Sequence, residues 1–280
     1  MSAFRLVPAN ILPPAQLHAA FRDAFADYLL PLALTLAQWP AFLARQAAVL
    51  SLSRVALRGD DILAFALVAP RGQRWRLAGM GAVPQARGSG AAPALLDELI
   101  TRAGAHGLQA LELEVFAQNA RALRLYRSRG FGELAPLHGY TLAATAPAPA
   151  AGLAPPHVGR EAALAWLDDA ELQRDDLPLQ VTAPVLAVSP LPWQAWQHGA
   201  AQLVFSLSDE GVLIHSLVDR QLAQHDAQHL LQALRAAQPG VPWRVPQLQR
   251  PDAGGEALLA AGCQRDELFQ YLMRRPLPAG

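Results

Sequence analysis

The chain has 280 residues, which at roughly 100–200 residues per domain is enough for one large domain or two ordinary ones. Hydrophobic residues make up 52% of it, so it can bury a sizeable core, and wholesale disorder is excluded. The net charge is zero and all 23 basic residues are arginine, which excludes lysine chemistry and leaves no broad basic field for nucleic acid or an anionic membrane.

The first half of the chain alternates strand-like and helix-like patterns. In chain order these are a strand Phe4–Val7, helices Pro14–Asp27 and Ala41–Leu50, strands Val55–Leu57, Ile62–Ala69 and Trp75–Val83, a helix Ala91–Ala103, a strand Leu111–Phe116, a helix Asn119–Arg129 and a strand Leu137–Leu142. The helices carry apolar residues at helical spacing, and Gly130 ends the last of them. This order predicts an α/β fold with a mixed sheet.

An alanine- and proline-rich segment follows this half. Eleven of the 14 residues from Ala143 to Pro156 are Ala or Pro, and such a segment favours an extended, semi-rigid linker. We therefore predict a first domain over residues 1–142, a linker over 143–158 and a second domain over 159–280. Both predicted domains have an ordinary length.

The second half repeats the order of elements more weakly. The predicted elements are strands Val185–Val188, Ala201–Ser206 and Gly211–Val218, a helix Gln228–Ala237, a strand Trp243–Leu248, a short helix Glu256–Ala261 and a strand Phe269–Met273. A shift of 135 residues places Leu95, Leu96 and Leu99 on leucines, and a shift of 132 places Gly130 on Gly262. We interpret this as an internal duplication.

The turn between the strand Trp75–Val83 and the helix Ala91–Ala103 is rich in small residues and reads Arg87-Gly88-Ser89-Gly90-Ala91-Ala92. Such a turn lets backbone N–H groups converge on an anion, and the helix after it adds the positive end of its dipole. The pattern predicts a pyrophosphate-binding turn, although a glycine-rich turn of purely structural purpose would look the same.

Two motifs at matching spacing resemble the GNAT N-acetyltransferases. Arg87-x-x-Gly90-x-Ala92 is similar to the acetyl-CoA signature (Gln/Arg)-x-x-Gly-x-(Gly/Ala), and a strand ending in Val115 is followed by Asn119, Ala122, Tyr126 and Gly130-Phe131. The resemblance runs through residues 3–142 and implies acetyl-CoA as co-substrate and transfer of its acetyl group to a primary amine. It also suggests a two-domain subgroup of tandem GNAT folds that form a pseudo-dimer.

The resemblance assigns cofactor contacts to the turn and to the strand before it. The implied cofactor-binding residues are Gly81, Ala82, Val83, Arg87, Gly88, Ser89, Gly90, Ala91, Ala92 and Asn119. Gly79 and Gly81 would permit a bulge and a close backbone approach, or they simply weaken an ordinary strand. Asn119 would bond the pantetheine arm, cap the next helix, or do both.

The same resemblance implies two catalytic side chains. Tyr126 matches the general acid that protonates the leaving thiolate, with packing through its ring as the alternative. Glu114 is the candidate base, with a strand carboxylate held by an arginine as the alternative. Glu112 is a weaker candidate on the same strand face, because side chains alternate along a strand.

The second domain reads as a degenerate copy that binds no CoA. The shift of 135 places His225 where the first copy has Gly90, and the shift of 132 places Pro251 on Asn119 and Leu258 on Tyr126. Pro251 has no N–H and Leu258 cannot donate a proton. We expect this copy to pair with the first domain and form a wall of the acceptor groove.

Other features limit the remaining possibilities. Cys263 is the only cysteine, and the spacing of His225 and His229 lacks an evident third ligand, so we expect no metal. No signal peptide or membrane span is visible, and we expect a cytoplasmic protein, monomeric or homodimeric. A non-catalytic acyl-CoA-binding protein and a transferase of longer acyl groups are the alternative functions, and the amine acceptor, a small molecule or a peptide, is open.

Overall fold

The computed structural model describes residues 4–30, 32–144, 157–189 and 192–278. These residues form a mixed α/β fold with twelve strands and eight α-helices, which confirms the predicted fold class. The chain divides into two compact units. The first unit comprises Met1–Glu114, Arg121–Gly132 and Met273–Gly280, and the second comprises Val115–Ala120 and Glu133–Leu272.

The first unit is built on a sheet whose strands lie in chain order. They are β1 (Arg5–Pro8), β2 (Arg54–Arg58), β3 (Asp61–Arg71), β4 (Arg74–Ala82) and β5 (Ala110–Phe116), followed at the edge by the last residues of the chain's final strand. The pairs β1–β2, β2–β3 and β3–β4 are antiparallel, whereas β5 runs parallel to β4. A parallel pair needs a crossover, which a helix supplies here.

Four helices accompany this sheet: α1 (Pro14–Ala24), α2 (Trp39–Arg45), α3 (Ala91–Ala105) and α4 (Ala120–Arg127). The crossover helix α3 contacts β2, β3 and β4, and it buries Leu95, Leu96 and Leu99. A separate core forms between α1, α2 and β3 around Phe21, Trp39 and Phe65. The strand-to-helix order β-α-α-β-β-β-α-β-α-β predicted for the first half is confirmed.

The second unit contains the remaining elements. They are β6 (Gly132–Leu142), β7 (His157–Val158), α5 (Arg160–Gln173), α6 (Ala183–Ala187), β8 (Gln194–His198), β9 (Ala201–Ser208), β10 (Gly211–Asp219), α7 (His225–Ala237), β11 (Trp243–Gln249), α8 (Gly255–Ala260) and β12 (Gln264–Pro276). Its strands lie in the order β12-β6-β11-β10-β9-β8-β7.

The two units do not follow the linear order of the chain. Strand β6 pairs with β11 in the second unit, whereas the end of β12 belongs to the first, where the Leu277 N–H donates to Gln109 O at 2.8 Å. The predicted boundary after residue 142 stays a prediction. Residues 145–156 of the predicted linker lie outside the described residues.

Two predictions in the second half differ from the structure. The predicted strand Val185–Val188 is wrong, because Ala183–Ala187 is a short helix with Thr182 as its N-cap and Pro184 in its first turn, where proline is tolerated. The helix Arg160–Gln173 was not predicted. Its buried residues Ala163, Leu167 and Ala170 have helical spacing, but alanine carries little signal in a chain this rich in alanine.

Both units contain the same local sequence of elements. The series β3-β4-α3-β5-α4-β6 has its counterpart in β9-β10-α7-β11-α8-β12. Strand β4 and its counterpart β10 each carry a bulge, at Ala78 and at His215, where the register with the preceding strand shifts. The repeated order and the repeated bulge support the internal duplication.

Candidate active site

A gap opens between two parallel strands of the first unit. The ladder between β4 and β5 joins Arg74–Leu77 to Ala110–Leu113 and ends there, although β4 continues to Ala82. The Val83 N–H donates to Leu63 O at 3.0 Å, on the β3 side. Because backbone groups alternate along an antiparallel strand, the N–H groups of Met80 and Ala82 face the gap.

The turn between β4 and α3 holds two glycines in the left-handed region. Gly88 has φ +86° and Gly90 has φ +84°, which an L side chain rarely adopts. A Cβ at either position would meet open space, so the glycines serve the backbone conformation. Gly90 is the N-cap of α3, and Ser89 Oγ accepts the Ala91 N–H at 3.3 Å. We call residues 87–92 the cradle turn.

The cradle turn presents N–H groups that nothing inside the protein uses. Within the described part of the chain, no acceptor takes the N–H groups of Gly88, Gly90 or Ala92, and both glycines are exposed. A helix N-terminus with exposed donors favours an anion, because the donors and the helix dipole act in the same direction. The turn therefore fits a diphosphate.

The Arg87 side chain points away from these N–H groups. Its Nη1 and Nη2 donate to the two carboxylate oxygens of Asp27 at 2.5 and 2.6 Å, and Nη2 also lies 3.4 Å from Ala24 O. The hydrogen bonds from Arg87 hold the pKa of Asp27 below its ordinary value of 3.8. Arg87 thus contributes its backbone to the cradle turn and its guanidinium to the end of α1.

Tyr126 lies on α4 and is almost completely buried. Its ring packs against Phe131 at a centroid distance of 5.8 Å. Burial raises the pKa of the phenol above its ordinary value of 10.0, and the neighbouring Tyr28 adds to the rise. The phenol therefore keeps its proton at neutral pH, as a proton donor must, while its ring also has the packing role of the alternative interpretation.

Glu114 is engaged in a buried ion pair. Arg76 Nε and Nη2 approach its Oε2 at 2.6 and 2.5 Å, and the two side chains are 4% and 3% exposed. Arg76 Nη1 donates to Gln46 Oε1 at 3.2 Å, next to the end of α2. The sequence analysis left two interpretations of Glu114 open, a catalytic base or a strand carboxylate held by an arginine. The ion pair with Arg76 matches the second description.

Glu112 has a more clearly structural environment. Its carboxylate accepts from Arg274 at 2.6 Å and lies 3.4 Å from Arg74 and 3.6 Å from Arg71, with 1% of the side chain exposed. Three arginines around one buried carboxylate satisfy its charge internally. Glu112 therefore ties the last strand of the chain to β5 within the first unit.

The remaining predicted residues have distinct surroundings. Asn119 immediately precedes α4, and its N–H donates to Phe116 O at 2.9 Å. A Cβ on Gly81 would lie 2.8 Å from Ala24 Cβ, so only glycine lets α1 approach β4 this closely. His225 and His229 are not joined by His215, which pairs with Ser206 Oγ at 2.7 Å. Among the described residues, no group of three or more His, Cys, Asp or Glu is placed to hold a metal.

The first unit matches a known family in sequence. Residues 15–131 match the family described as the acetyltransferase (GNAT) family. The match covers less than half of the chain and lies within its first half. The matched region contains β4, the cradle turn, Glu114 and Tyr126. None of the curated proteins matches the chain.

Solved structures show the same fold. The chain is similar to GCN5-related N-acetyltransferases from Anabaena variabilis ATCC 29413 (TM-score 0.67, 13% identity, covering 97% of this chain and 72% of that one). The chain is also similar to the GCN5-related N-acetyltransferase from Kribbella flavida (TM-score 0.63, 16% identity, covering 98% of this chain and 71% of that one). The enzyme of the same description from Sphaerobacter thermophilus has a TM-score of 0.62 and 14% identity, covering 98% of this chain and 95% of that one. At these identities the likeness shows the GNAT fold alone.

The sequence did not indicate three residues that the structure brings to the candidate site. Met80 presents its N–H to the gap because of strand alternation, which only the register reveals. Asp27 and Arg76 bind residues 60 and 38 positions away along the chain. A charged residue at the end of a helix, or on a strand beside a glutamate, gives no signal of such a partner.

No helix of the described residues is long and apolar enough to cross a membrane.

Proposed function

We propose that the protein is an acetyl-CoA-dependent N-acetyltransferase that transfers an acetyl group to a primary amine. The observation that carries this proposal is the set of exposed, unused N–H groups at the start of α3, beside a strand edge that β5 leaves open. Acetyl-CoA supplies the activated acetyl group as a thioester. The residues around the gap bind it, orient it and handle the protons.

Each residue has a proposed task. The N–H groups of Gly88, Gly90 and Ala92 hold the diphosphate, and Asn119 bonds the pantetheine arm. The N–H groups of Met80 and Ala82 are the donors for the acyl carbonyl, since that of Val83 donates to Leu63 O. Ser89 fixes the turn by accepting the Ala91 N–H.

Tyr126 and Glu114 are the proposed proton-handling groups. Tyr126 keeps its phenolic proton and donates it to the leaving thiolate. Glu114 accepts the proton of the amine through a water, with Arg76 fixing the carboxylate. Both groups belong to the first unit, so we propose that the proton transfers use side chains of that unit alone.

For the organisation of the chain we propose a catalytic GNAT domain over residues 1–142 and a degenerate copy over 159–280 that binds no CoA. Two facts support this: the repeated order of elements, and Leu258, a buried core residue where the first copy has Tyr126. The proposed stoichiometry is one CoA per chain. Calorimetry that gives two CoA per chain would contradict it.

The cofactor site is tested by the effect of CoA on thermal stability. A ligand at 100 times its Kd adds about 2.7 kcal/mol to the free energy of unfolding. Gly90→Glu should abolish the CoA-dependent rise in Tm, because it places a negative side chain where the diphosphate binds. Gly107→Glu is the matched control, since Gly107 is also an exposed glycine with positive φ (+68°) and open space, at the other end of α3.

If CoA raises the Tm of Gly90→Glu as much as it raises that of the wild type, the cradle turn does not bind the diphosphate. Equal losses in Gly90→Glu and Gly107→Glu would show that backbone strain, rather than charge, is responsible. Activity is then sought with an amine library and a free-thiol readout, which also reveals the acceptor.

The role of Glu114 needs a design that separates chemistry from stability. Glu114→Gln leaves Arg76 buried without its carboxylate, which costs about 3–5 kcal/mol. The double variant Glu114→Gln with Arg76→Gln removes both charges, so its Tm should recover. If Glu114 is the base, the double variant keeps a low kcat although its Tm recovers, and the low-pH limb is missing from the profile of its residual rate. Recovery of kcat together with Tm would return Glu114 to a structural role.

A further inference from the structure

The segment that leaves α1, residues 24–28, contacts three parts of the candidate site. The Ala24 side chain faces Gly81 of β4, and Asp27 binds Arg87 of the cradle turn. Tyr28 lies close enough to Tyr126 to influence its phenol. One short exit segment therefore borders the strand edge, the diphosphate turn and the proposed acid.

Aromatic packing holds the middle of this segment. Phe25 packs against Phe21 at 4.7 Å and Tyr28 at 4.9 Å. The chain beyond it leads to Leu29, Leu32 and Leu36, which are exposed. The bidentate pair between Asp27 and Arg87 is the polar contact that fixes the segment to the cradle turn.

We propose that Asp27 is a positioning residue: its ion pair with Arg87 orders the exit segment against the cradle turn and thereby holds Ala24 beside Gly81 and Tyr28 beside Tyr126. The guanidinium of Arg87 gives both Asp27 oxygens a hydrogen bond and approaches Ala24 O with the same Nη2. The Arg87 side chain is therefore used at the end of α1, whereas the proposed diphosphate contacts are backbone N–H groups.

The size of the effect follows from exposure. The two side chains are 30% and 62% exposed, and an exposed ion pair changes an equilibrium by at most about fivefold. Salt screens such a pair. The exit segment should therefore open about fivefold more often without the Asp27 carboxylate, and high salt should have a similar effect on the wild-type protein.

Hydrogen exchange on the free protein tests the structural part. Asp27→Asn should speed exchange of the Tyr28 N–H, which donates to Phe25 O, by about fivefold. Asp23→Asn is the matched control, because Asp23 is a similarly exposed carboxylate near the end of α1, and its ion pair is with Arg22, at 3.5 Å. Asp27→Glu should preserve wild-type exchange. Equal exchange in wild type, Asp27→Asn and Asp23→Asn overturns the proposal.

Kinetics test the part that rests on the proposed function. With an acceptor from the amine library, Asp27→Asn should lower kcat/KM by more than Asp23→Asn does, with about fivefold as the upper limit, and leave the Kd for CoA within twofold. A fivefold rise in the Kd for CoA instead would show that the pair serves the cofactor, which overturns the proposal. Failure of the proposed function is seen separately, as the lack of any CoA effect on wild-type Tm, and the exchange experiment then still decides the role of Asp27.

Discussion

In the first unit, α3 starts at a turn whose N–H groups are open to solvent, whereas in the second unit α7 starts at a turn that is satisfied from within. There the fully buried carboxylate of Asp219 accepts the N–H groups of Gln221 at 2.9 Å and Ala227 at 3.0 Å. A carboxylate of the protein thus takes the place that an external anion would take at a helix N-terminus.

Two glutamines tie this region to the neighbouring elements of the second unit. Gln224, at φ +55°, caps α7 in the left-handed region that Gly90 has in the first unit, and its side chain bonds Ala257 N–H and Pro251 O. Gln249 reaches from β11 to Leu217 O on β10 at 3.0 Å. The shift of 135 residues placed His225 on Gly90, but the left-handed residue is Gln224, one position earlier.

The comparison teaches how one turn can serve structure or ligand binding. Both turns need a partner for the N–H groups at the start of a helix. Where the chain supplies the buried carboxylate of Asp219, the turn is satisfied by the protein itself. Where it supplies glycines and leaves the donors exposed, the turn is available to an anion.

The largest expected effect concerns the two buried tyrosines, one in each unit. Tyr126→Phe should lower kcat by about 10²–10⁴-fold, because general acid catalysis contributes about that much, with CoA affinity nearly unchanged. Tyr140→Phe removes the same hydroxyl from a fully buried tyrosine of the second unit and should leave kcat unchanged. Steady-state rates on an acceptor from the amine library check both, and a wild-type rate in Tyr126→Phe would leave Tyr126 only its packing role.

The next effect concerns the two helix N-termini. Asp219→Ala should lower the free energy of unfolding by about 2 kcal/mol, since it leaves the buried Ala227 N–H and the partly buried Gln221 N–H without their acceptor. Ser89→Ala removes a partly exposed acceptor from the equivalent turn and should cost about 0.5 kcal/mol. Urea denaturation measures both. Equal losses would mean that the two turns do not differ in how they are satisfied.

The pH dependence of stability should be carried by the second unit. Burial lowers the pKa of His138 and His215 from 6.5, so between pH 7.5 and 5.5 the unfolded chain binds protons that the folded one does not. Stability therefore falls as the pH drops below about 6.5, at about 1.36 kcal/mol per pKa unit of difference. Tm at the two pH values should differ less in His138→Gln with His215→Gln, and an unchanged difference would contradict this.

In the first unit the corresponding group is Asp27, and it titrates in a different range. Its pKa is lowered from 3.8 by Arg87, so the stability from that pair is present above about pH 4 and is lost as the pH falls through the lower folded value. Between pH 5.5 and 7.5 it contributes no slope. The loss of stability near pH 6.5 therefore comes from the two histidines of the second unit and not from Asp27.

The smallest effect uses the two non-glycine residues in the left-handed region. Ala47 has φ +50° after α2 and should gain about 0.5–1 kcal/mol when replaced by glycine. Gln224→Gly relieves the same strain but loses two buried hydrogen bonds, so it should lose about 1–2 kcal/mol. Chemical denaturation measures the change in the free energy of unfolding for both variants. Changes of opposite sign would support the view that Gln224 keeps its strained backbone because its side-chain hydrogen bonds compensate for the strain.

Periodicity and turn chemistry predicted the elements of the first half well, because long amphipathic segments such as α3 and glycines at helix ends carry local signals. They failed at Ala183–Ala187, where a short run rich in valine and leucine resembles a strand. They also missed α5, whose buried alanines are indistinguishable from the rest of the composition.

The sequence by itself determined the order of elements in the first half, the glycine-rich turn before α3 and the positions of Glu114 and Tyr126 on their elements, since each depends on neighbours within a few residues. Only the tertiary structure decided that Arg76 binds Glu114, that Arg87 binds Asp27, and that β12 ends in the first unit. Such pairs join residues tens to hundreds of positions apart, and a charged side chain carries no local mark of the partner that folding brings to it. The same holds for the Met80 N–H, whose direction depends on strand register.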